Sequence, residues 1–123
     1  MNYLVSREDL PNSDAFSPGI RGKILNGVDH GLSGISLIFN ETRPSSGAIR
    51  HRHTYDEIFL VQEGVCAFTI DEEVVQASAG AVVLIPANLP HSFLNVGADT
   101  MRLVAIHASP SVVIERLDGS EPD

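Results

Sequence analysis

The most informative stretch of this chain runs from residue 47 to residue 64 and reads Gly47-Ala-Ile-Arg-His-Arg-His-Thr-Tyr-Asp-Glu-Ile-Phe-Leu-Val-Gln-Glu-Gly64. His51 and His53 are two residues apart, so on a β-strand they project from the same face. Their backbones are then about 6–7 Å apart, which lets both imidazoles reach one ion. After a short polar break, Glu57 opens an apolar strand at its buried end, where a carboxylate is costly unless it is paired or bound to a cation.

A second segment, Gly80 to Asn95, supplies a third histidine. Its first part, residues 81–85, is short and fully apolar, as expected of a strand buried on both faces. A loop framed by prolines follows, and His91 opens the next strand. Three imidazoles and one carboxylate suit a divalent transition metal. Because histidines also occur as ordinary surface or core residues, the residue types alone leave metal binding and a structural role open.

The rest of the chain has a local hydrophobic period of two and little sign of helix. Short strands separated by regular turn signals predict an all-β sandwich or barrel. Ser109-Pro110 is compatible with a helix start, whereas Val112-Val113-Ile114 favours a strand, so that segment stays undecided. The expected strands are residues 34–42, 57–61, 65–70, 81–85, 91–95 and 100–107.

The length of 123 residues allows one domain, and a formal net charge of −8 makes nucleic acid and anionic membrane surfaces poor partners. Cys66 is the only cysteine, so no intrachain disulfide forms, and its apolar flanks predict a buried, inert thiol. Charged residues at positions 7–9 do not fit a signal peptide, and no apolar run is long enough to span a membrane. We therefore expect a cytoplasmic protein.

The two segments resemble the two signature motifs of the cupin superfamily. The first motif (His-x-His, then Glu, then Gly after six residues) is matched by His51, His53, Glu57 and Gly64, and the second by Gly80, Pro86, His91 and Asn95. Two glycines of the family pattern are replaced, by Ser45 and Asn88, and Asn88 is expected at a turn with positive φ. The resemblance implies an all-β double-stranded β-helix (jelly-roll) barrel, residues 19–117, after an N-terminal arm (1–18) and before an acidic tail (118–123).

The resemblance also implies that His51, His53, Glu57 and His91 hold one divalent transition metal: Fe, Mn, Ni, Zn or Cu. Strand alternation then places further aromatic side chains near the ion, either as pocket walls or only as core. His107 is either a general base near a bound substrate or a structural histidine, because the parity of its strand is ambiguous. The predicted pocket residues are Tyr55, Phe59, Phe68 and Phe93, while Arg50 and Arg52 are expected to face outward.

The function that these features favour is a metal-dependent cupin acting on a small organic molecule, with dioxygenation as the preferred chemistry. The alternatives are a redox-neutral isomerase, lyase or decarboxylase that uses the metal as a Lewis acid, and a non-enzymatic module that binds a small molecule or a metal. A single barrel has an exposed sheet edge, so we expect a homodimer. The segment Tyr3-Leu4-Val5 is a candidate for crossing to the partner.

Overall fold

The computed structural model describes residues 3–13 and 18–117. Two short 3₁₀-helices, Arg7–Asp9 and Gly27–His30, are the helical elements of these ranges, and none of their helices is long and apolar enough to cross a membrane. The strands are β1 (Asn12–Ser13), β2 (Ile20–Leu25), β3 (Ser36–Thr42), β4 (Gly47–Arg52), β5 (Glu57–Glu63), β6 (Val65–Ile70), β7 (Glu73–Ser78), β8 (Val82–Ile85), β9 (His91–Asn95), β10 (Met101–His107) and β11 (Glu115–Arg116).

Two antiparallel sheets form the molecule, with strand orders β1-β2-β3-β10-β5-β8 and β11-β4-β9-β6-β7. Burial alternates along the strands: in β10 every second residue, from Met101 to His107, is buried. The buried side chains, among them Phe59, Phe68 and Leu103, form one apolar cluster. The expected all-β jelly-roll architecture is thereby confirmed.

Residues 81–85 contain the expected strand, β8, but the expectation that both of its faces are buried was wrong. In β8, Val83 and Ile85 are buried, but Val82 and Leu84 are 57% and 64% exposed. The physical reason is position: β8 lies at the edge of the six-stranded sheet, and no element of the described chain covers its outer face. Strands β2, β7 and β11 were not expected, and β4 was considered only as the strand on which His51 would lie. Residues 112–114 are neither helix nor strand.

The two positions where the family has glycine both adopt left-handed backbone conformations. Asn88 has φ 70°, as predicted, and Ser45 has φ 64°. The Asn88 amide donates to the carbonyl of His53 (2.7 Å) and the Ser45 amide to that of Asn95 (3.1 Å). These strained turns therefore tie the loops to strands that carry candidate ligands.

The ends of the chain are described only in part. Asn12 and Ser13 pair with Lys23 and Gly22 of β2, so part of the predicted arm adds a short strand to the six-stranded sheet. The predicted tail, residues 118–123, lies outside the described residues. The boundaries of the arm and the barrel remain predictions.

Candidate metal centre

Strand register brings the candidate site residues together in two cross-strand pairs. His51 of β4 lies opposite His91 of β9 in one sheet, and Glu57 of β5 lies opposite His107 of β10 in the other. His53 follows directly after β4. All five side chains are buried, with 1–4% of their surface exposed.

Four of these residues converge tightly enough to bind one ion. One ligand atom each from His51, His53, Glu57 and His91 lies within 4.8 Å of the others. Glu57 Oε1 is 3.0 Å from His91 Nε2 and 3.2 Å from His53 Nε2. The described residues thus contain a group that is able to hold a metal, made of the four residues expected from the sequence motifs.

The Nδ1 atom of each of these histidines faces a backbone carbonyl. The carbonyl partners are Ile49 for His51 (2.7 Å), Val113 for His53 (2.7 Å) and Leu89 for His91 (2.9 Å). A carbonyl only accepts, so each Nδ1 carries a proton, and the Nε2 of the neutral ring keeps its lone pair. Metal-binding histidines are oriented in this way.

The chemistry of the site therefore fits a cation. Lone pairs on Nε2 of His53 and His91 face the same carboxylate oxygen of Glu57 at 3.0–3.2 Å, so a proton or a metal ion is needed between these electron-rich atoms. In addition, Nε2 of His53 is buried without an aligned hydrogen-bond partner. A metal ion would satisfy the carboxylate and the ring nitrogens together.

The electrostatics of the site keep Glu57 ionised. Burial opposes ionisation, but contacts with His107, His53 and His91 hold the pKa of Glu57 well below its usual range. Burial, reinforced by His91, lowers the pKa of His51 to about 4, so this ring is neutral at physiological pH. Burial also acts on His53, yet its contact with Glu57 raises the pKa of His53 above the ordinary value.

His107, the fourth histidine at this place, stands on the other side of Glu57. Its Nε2 is 3.0 Å from Glu57 Oε2, and its Nδ1 is 2.8 Å from the Tyr55 hydroxyl. Tyr55 is also joined to Val113, whose amide donates to the tyrosine oxygen at 3.0 Å. The site thus includes a hydrogen-bonded pair, Tyr55 and His107, whose two members are 52 positions apart in the sequence.

A cavity of about 40 Å³ adjoins the candidate ligands. Of the four aromatic residues expected to form a pocket, Phe59 and Phe93 lie in its wall, and Phe68 and Tyr55 lie outside it. Phe68 is fully buried and packs against Phe59 and Phe93, with ring centroids 5.0 and 5.9 Å away, but it does not reach the cavity. Tyr55 instead stacks on the His53 ring, with centroids 5.0 Å apart.

Other residues that line the cavity were not anticipated. Most of them belong to strands outside the two motifs or to the C-terminal segment, and only the pairing of distant strands places them beside the site. No arginine or lysine lies among the cavity's described lining. Arg50 and Arg52 point outward, as expected: Arg52 pairs with Glu115 at 2.6 Å on the surface. The unanticipated lining residues are Ser13, Ile20, Gly22, Ile38, Asn40, Ala48, Ala105 and Ile114.

Comparison with known proteins places these features in a family. The model of the Cupin domain family matches residues 40–107, more than half of the chain. The polyketide synthase CurC of Streptomyces cyaneus is 33% identical over 85 residues, which are 68% of this chain and 52% of that protein. The chain spans about half the length of the curated relatives it matches.

Solved structures share the fold at low sequence identity. The polyketide cyclase RemF from Streptomyces resistomycificus superposes with a TM-score of 0.79 and 19% identity, covering 98% of this chain and 89% of that one. Oxalate decarboxylase from Bacillus subtilis, which has Mn(II) centres, gives a TM-score of 0.78 and 19% identity, covering 89% of this chain and 30% of that one.

Proposed function

This chain belongs to the cupin family, and we propose that it is a metal-dependent enzyme that acts on a small organic molecule inside its barrel. The ion is one divalent transition metal (Fe, Mn, Ni, Zn or Cu), held by His51, His53, Glu57 and His91. The observation that carries this proposal is the convergence of four buried ligand atoms within 4.8 Å, with the histidine tautomers already set. An ion with four protein ligands keeps open positions, as catalytic sites do.

We propose dioxygenation as the reaction. A bound Fe(II) ion would supply oxygen activation, and the negative charge of Glu57 favours the higher oxidation states that this chemistry needs. The same negative charge lowers Lewis acidity, which makes pure carbonyl polarisation less effective. The buried ligands, 1–4% exposed, exclude bulk water from the reacting atoms.

The cavity wall supports a proposal for the class of substrate. Phe59, Phe93 and Ile38 offer apolar contacts, while Asn40 and His107 offer polar groups. The described lining has no arginine or lysine to bind an anionic group away from the metal ion, so phenols and dicarbonyl compounds fit better than a dianionic substrate. A cavity of about 40 Å³ holds about one water molecule, so substrate entry requires wall residues such as Ile114 to move.

A redox-neutral reaction is the second candidate. The likeness to the polyketide cyclase RemF, over 98% of this chain and 89% of that one, favours it. In that case the metal ion would polarise a substrate carbonyl, and the reaction would be an isomerisation, a carbon–carbon bond closure, a lyase step or a decarboxylation. A non-enzymatic module that binds a small molecule is the remaining alternative.

One assay separates these functions. Oxygen consumption by Fe(II)-loaded protein is measured over a panel of phenolic and dicarbonyl compounds, with the His91→Ala variant as control. Uptake that depends on one compound and on His91 supports dioxygenation. Turnover of a panel member under argon supports the redox-neutral reaction instead, and tight binding without turnover overturns the enzymatic proposal.

We also propose that the chain forms a homodimer through the outer surface of the six-stranded sheet. Two apolar rows cross its strands β3, β10, β5 and β8 there, and β8 contributes the most exposed side chains. The outer apolar face, as we call these rows, consists of Leu37, Ile106, Ile58 and Leu84 in one row and Phe39, Val104, Leu60 and Val82 in the other.

A second copy is the occupant that this face fits best. Three strands of seven residues and one of four present roughly 400 Å², and a stable dimer buries about 800 Å² per partner. The N-terminal segment supplies further apolar surface: Tyr3 and Leu4 are 89% and 82% exposed, and both line an open groove beside Leu37 and Phe39. In an isologous dimer each copy uses the same surface, so the outer apolar face of one copy packs against that of the other. The N-terminal segment of each copy then adds apolar area to the interface.

The remaining partners and the location follow from charge and cysteine usage. A formal net charge of −8 supports the proposal that nucleic acid and anionic membranes are not partners. Cys66 is buried and has a pKa raised by burial to about 12, so its thiol is inert. A chain with this one thiol fits a reducing compartment, and we propose the cytoplasm.

A further inference from the structure

His107 differs from the three candidate ligand histidines in what faces its Nδ1 atom. The Nδ1 atoms of His51, His53 and His91 face carbonyl oxygens, which only accept hydrogen bonds. The Nδ1 of His107 faces the hydroxyl of Tyr55 at 2.8 Å, and a hydroxyl is able to donate. The partner at Nδ1 decides which ring nitrogen carries the proton of a neutral imidazole.

Two neighbours direct the Tyr55 proton toward His107. The amide of Val113 donates to the Tyr55 oxygen at 3.0 Å, which occupies one acceptor position of the hydroxyl. The Val113 carbonyl already accepts from His53 Nδ1 at 2.7 Å and lies 3.3 Å from the Tyr55 oxygen, farther than His107 Nδ1.

The other ring nitrogen of His107 faces an atom that only accepts. Its Nε2 lies 3.0 Å from Oε2 of Glu57, the oxygen opposite the one near His53 and His91. A lone pair on Nε2 would oppose the carboxylate, whereas an N–H is attracted to it. The contacts of both ring nitrogens therefore favour the tautomer of His107 that has its proton on Nε2.

We infer that Tyr55 fixes His107 in the tautomer that carries its proton on Nε2, so that His107 serves this site as an N–H donor and neither as a fifth metal ligand nor as a general base. The inference rests on the proposed metal site. It changes the role first considered for His107, because a nitrogen that holds its proton toward the site does not accept one there.

The Nε2–H of His107 faces two possible acceptors, the Oε2 atom of Glu57 and a molecule bound in the cavity. The contact with Glu57 is short but not straight, so Nε2 has no aligned hydrogen-bond partner among the described residues. His107 also lines the 40 Å³ cavity. The N–H thus steadies the outer oxygen of Glu57 and is placed to donate to an oxygen atom of a molecule bound in the cavity, which selects molecules with a carbonyl or phenolate acceptor.

The direct test is the protonation pattern of the histidine rings in Zn(II)-loaded protein labelled with ¹⁵N-histidine. Long-range ¹H–¹⁵N correlation spectra distinguish Nδ1–H, Nε2–H and metal-bound nitrogen. We expect zinc-bound Nε2 for His51, His53 and His91, and an unligated Nε2–H ring for His107. Zinc bound to His107, or a proton on its Nδ1, overturns the inference. A spectrum in which zinc leaves His51, His53 and His91 unchanged instead refutes the metal site itself.

Variants supply a second readout that is independent of activity. Tyr55→Phe removes the hydroxyl but keeps the ring, and we expect the His107 pattern to change and zinc affinity to fall about tenfold, as for other groups that orient metal ligands. His107→Leu should lose a similar factor, and His107→Gln, which restores an N–H donor, should recover part of it. Phe68→Leu is the matched control, because the Phe68 ring packs against Phe59 and Phe93 in the buried core and not in the Glu57–His107 contact. Zinc affinity should stay unchanged in this variant. Equal losses in all four variants would show a general packing effect and overturn the inference.

Discussion

The Nδ1 atom of His53 lies 2.7 Å from the carbonyl oxygen of Val113, a residue that is 60 positions further along the chain. The same residue donates its amide to Tyr55, so one stretch of C-terminal backbone orients a candidate ligand and the partner of His107. Pairing of β11 with β4 and the bidentate Arg52–Glu115 contact hold this stretch in place. This C-terminal backbone therefore belongs to the surroundings of the candidate metal centre.

The first prediction tests this role of the C-terminal backbone. Val113→Pro removes the amide that donates to Tyr55 and alters the backbone that carries the His53 partner. We expect zinc affinity, measured by competition with a chromophoric chelator, to fall about tenfold. Val113→Ala keeps the backbone and should bind zinc like the wild type. Equal affinity in Val113→Pro would show that the segment covers the site without orienting it.

The second prediction concerns the metal content. Protein purified without chelator should carry close to one equivalent of transition metal, measured by elemental analysis. His91→Ala should lose most of it, because His91 is the ligand contributed by the second motif. His30→Ala is the matched control, since His30 lies in the second 3₁₀-helix and outside the ligand cluster. Full metal content in His91→Ala would mean that the fourth ligand is another residue.

The third prediction is a pH dependence of metal binding. Although burial opposes it, the contact with Glu57 raises the pKa of His53, so above pH 6.5 the metal-free protein still holds a proton that an incoming ion must displace. Zinc affinity should therefore rise with pH above 6.5 and level off once the pH exceeds the folded pKa of His53. Titration calorimetry in buffers of different ionisation enthalpy should detect proton release on binding. Zinc binding without proton release would contradict the prediction that Glu57 keeps His53 protonated above pH 6.5 in the metal-free protein.

The raised pKa of His53 also affects the folding stability of the metal-free protein. A histidine with a raised folded pKa stabilises the fold fully below its unfolded pKa of about 6.5, and this contribution is lost as the pH rises through the folded value. The metal-free form should thus become less stable above pH 6.5 while the metal-bound form gains. The increase in melting temperature that zinc causes should grow from pH 6.5 to pH 8, as scanning calorimetry would record.

The fourth prediction concerns the homodimer. Leu84→Glu places a charge in the outer apolar face and should convert the dimer to a monomer in light scattering at micromolar concentration. Val74→Glu is the matched control, because Val74 is 67% exposed, close to the 64% of Leu84, but lies in β7 of the other sheet. A monomeric wild type, or a dimer that survives Leu84→Glu and not Val74→Glu, would overturn the proposed interface.

The fifth prediction concerns the turn at Asn88. Its φ of 70° suits glycine or asparagine, so Asn88→Gly should leave the free energy of unfolding nearly unchanged. Asn88→Val should lower it by about 1–2 kcal/mol, because a branched side chain strains this conformation. Denaturant unfolding measures both. Comparable stability of the two variants would show that the turn adopts a different backbone in solution.

Local sequence patterns predicted the all-β architecture, and the resemblance of two motifs to a known family predicted which residues form the candidate ligand cluster. The period of two predicts strands, and His51 and His53 share a face because strand geometry alone fixes that relation. The turn conformation of Asn88 was also predictable, since it depends on local backbone preferences. These features are local, so spacing and residue type were enough to find them.

Only the tertiary structure decided what surrounds the cluster. The register of β5 on β10 places His107 opposite Glu57, and strand parity alone left its direction open. The edge position of β8 exposes Leu84, and backbone from near the C-terminus reaches His53, neither of which a local pattern contains. These contacts arise from pairing between distant segments, whose free energy depends on the whole barrel and is not encoded in any short stretch of sequence.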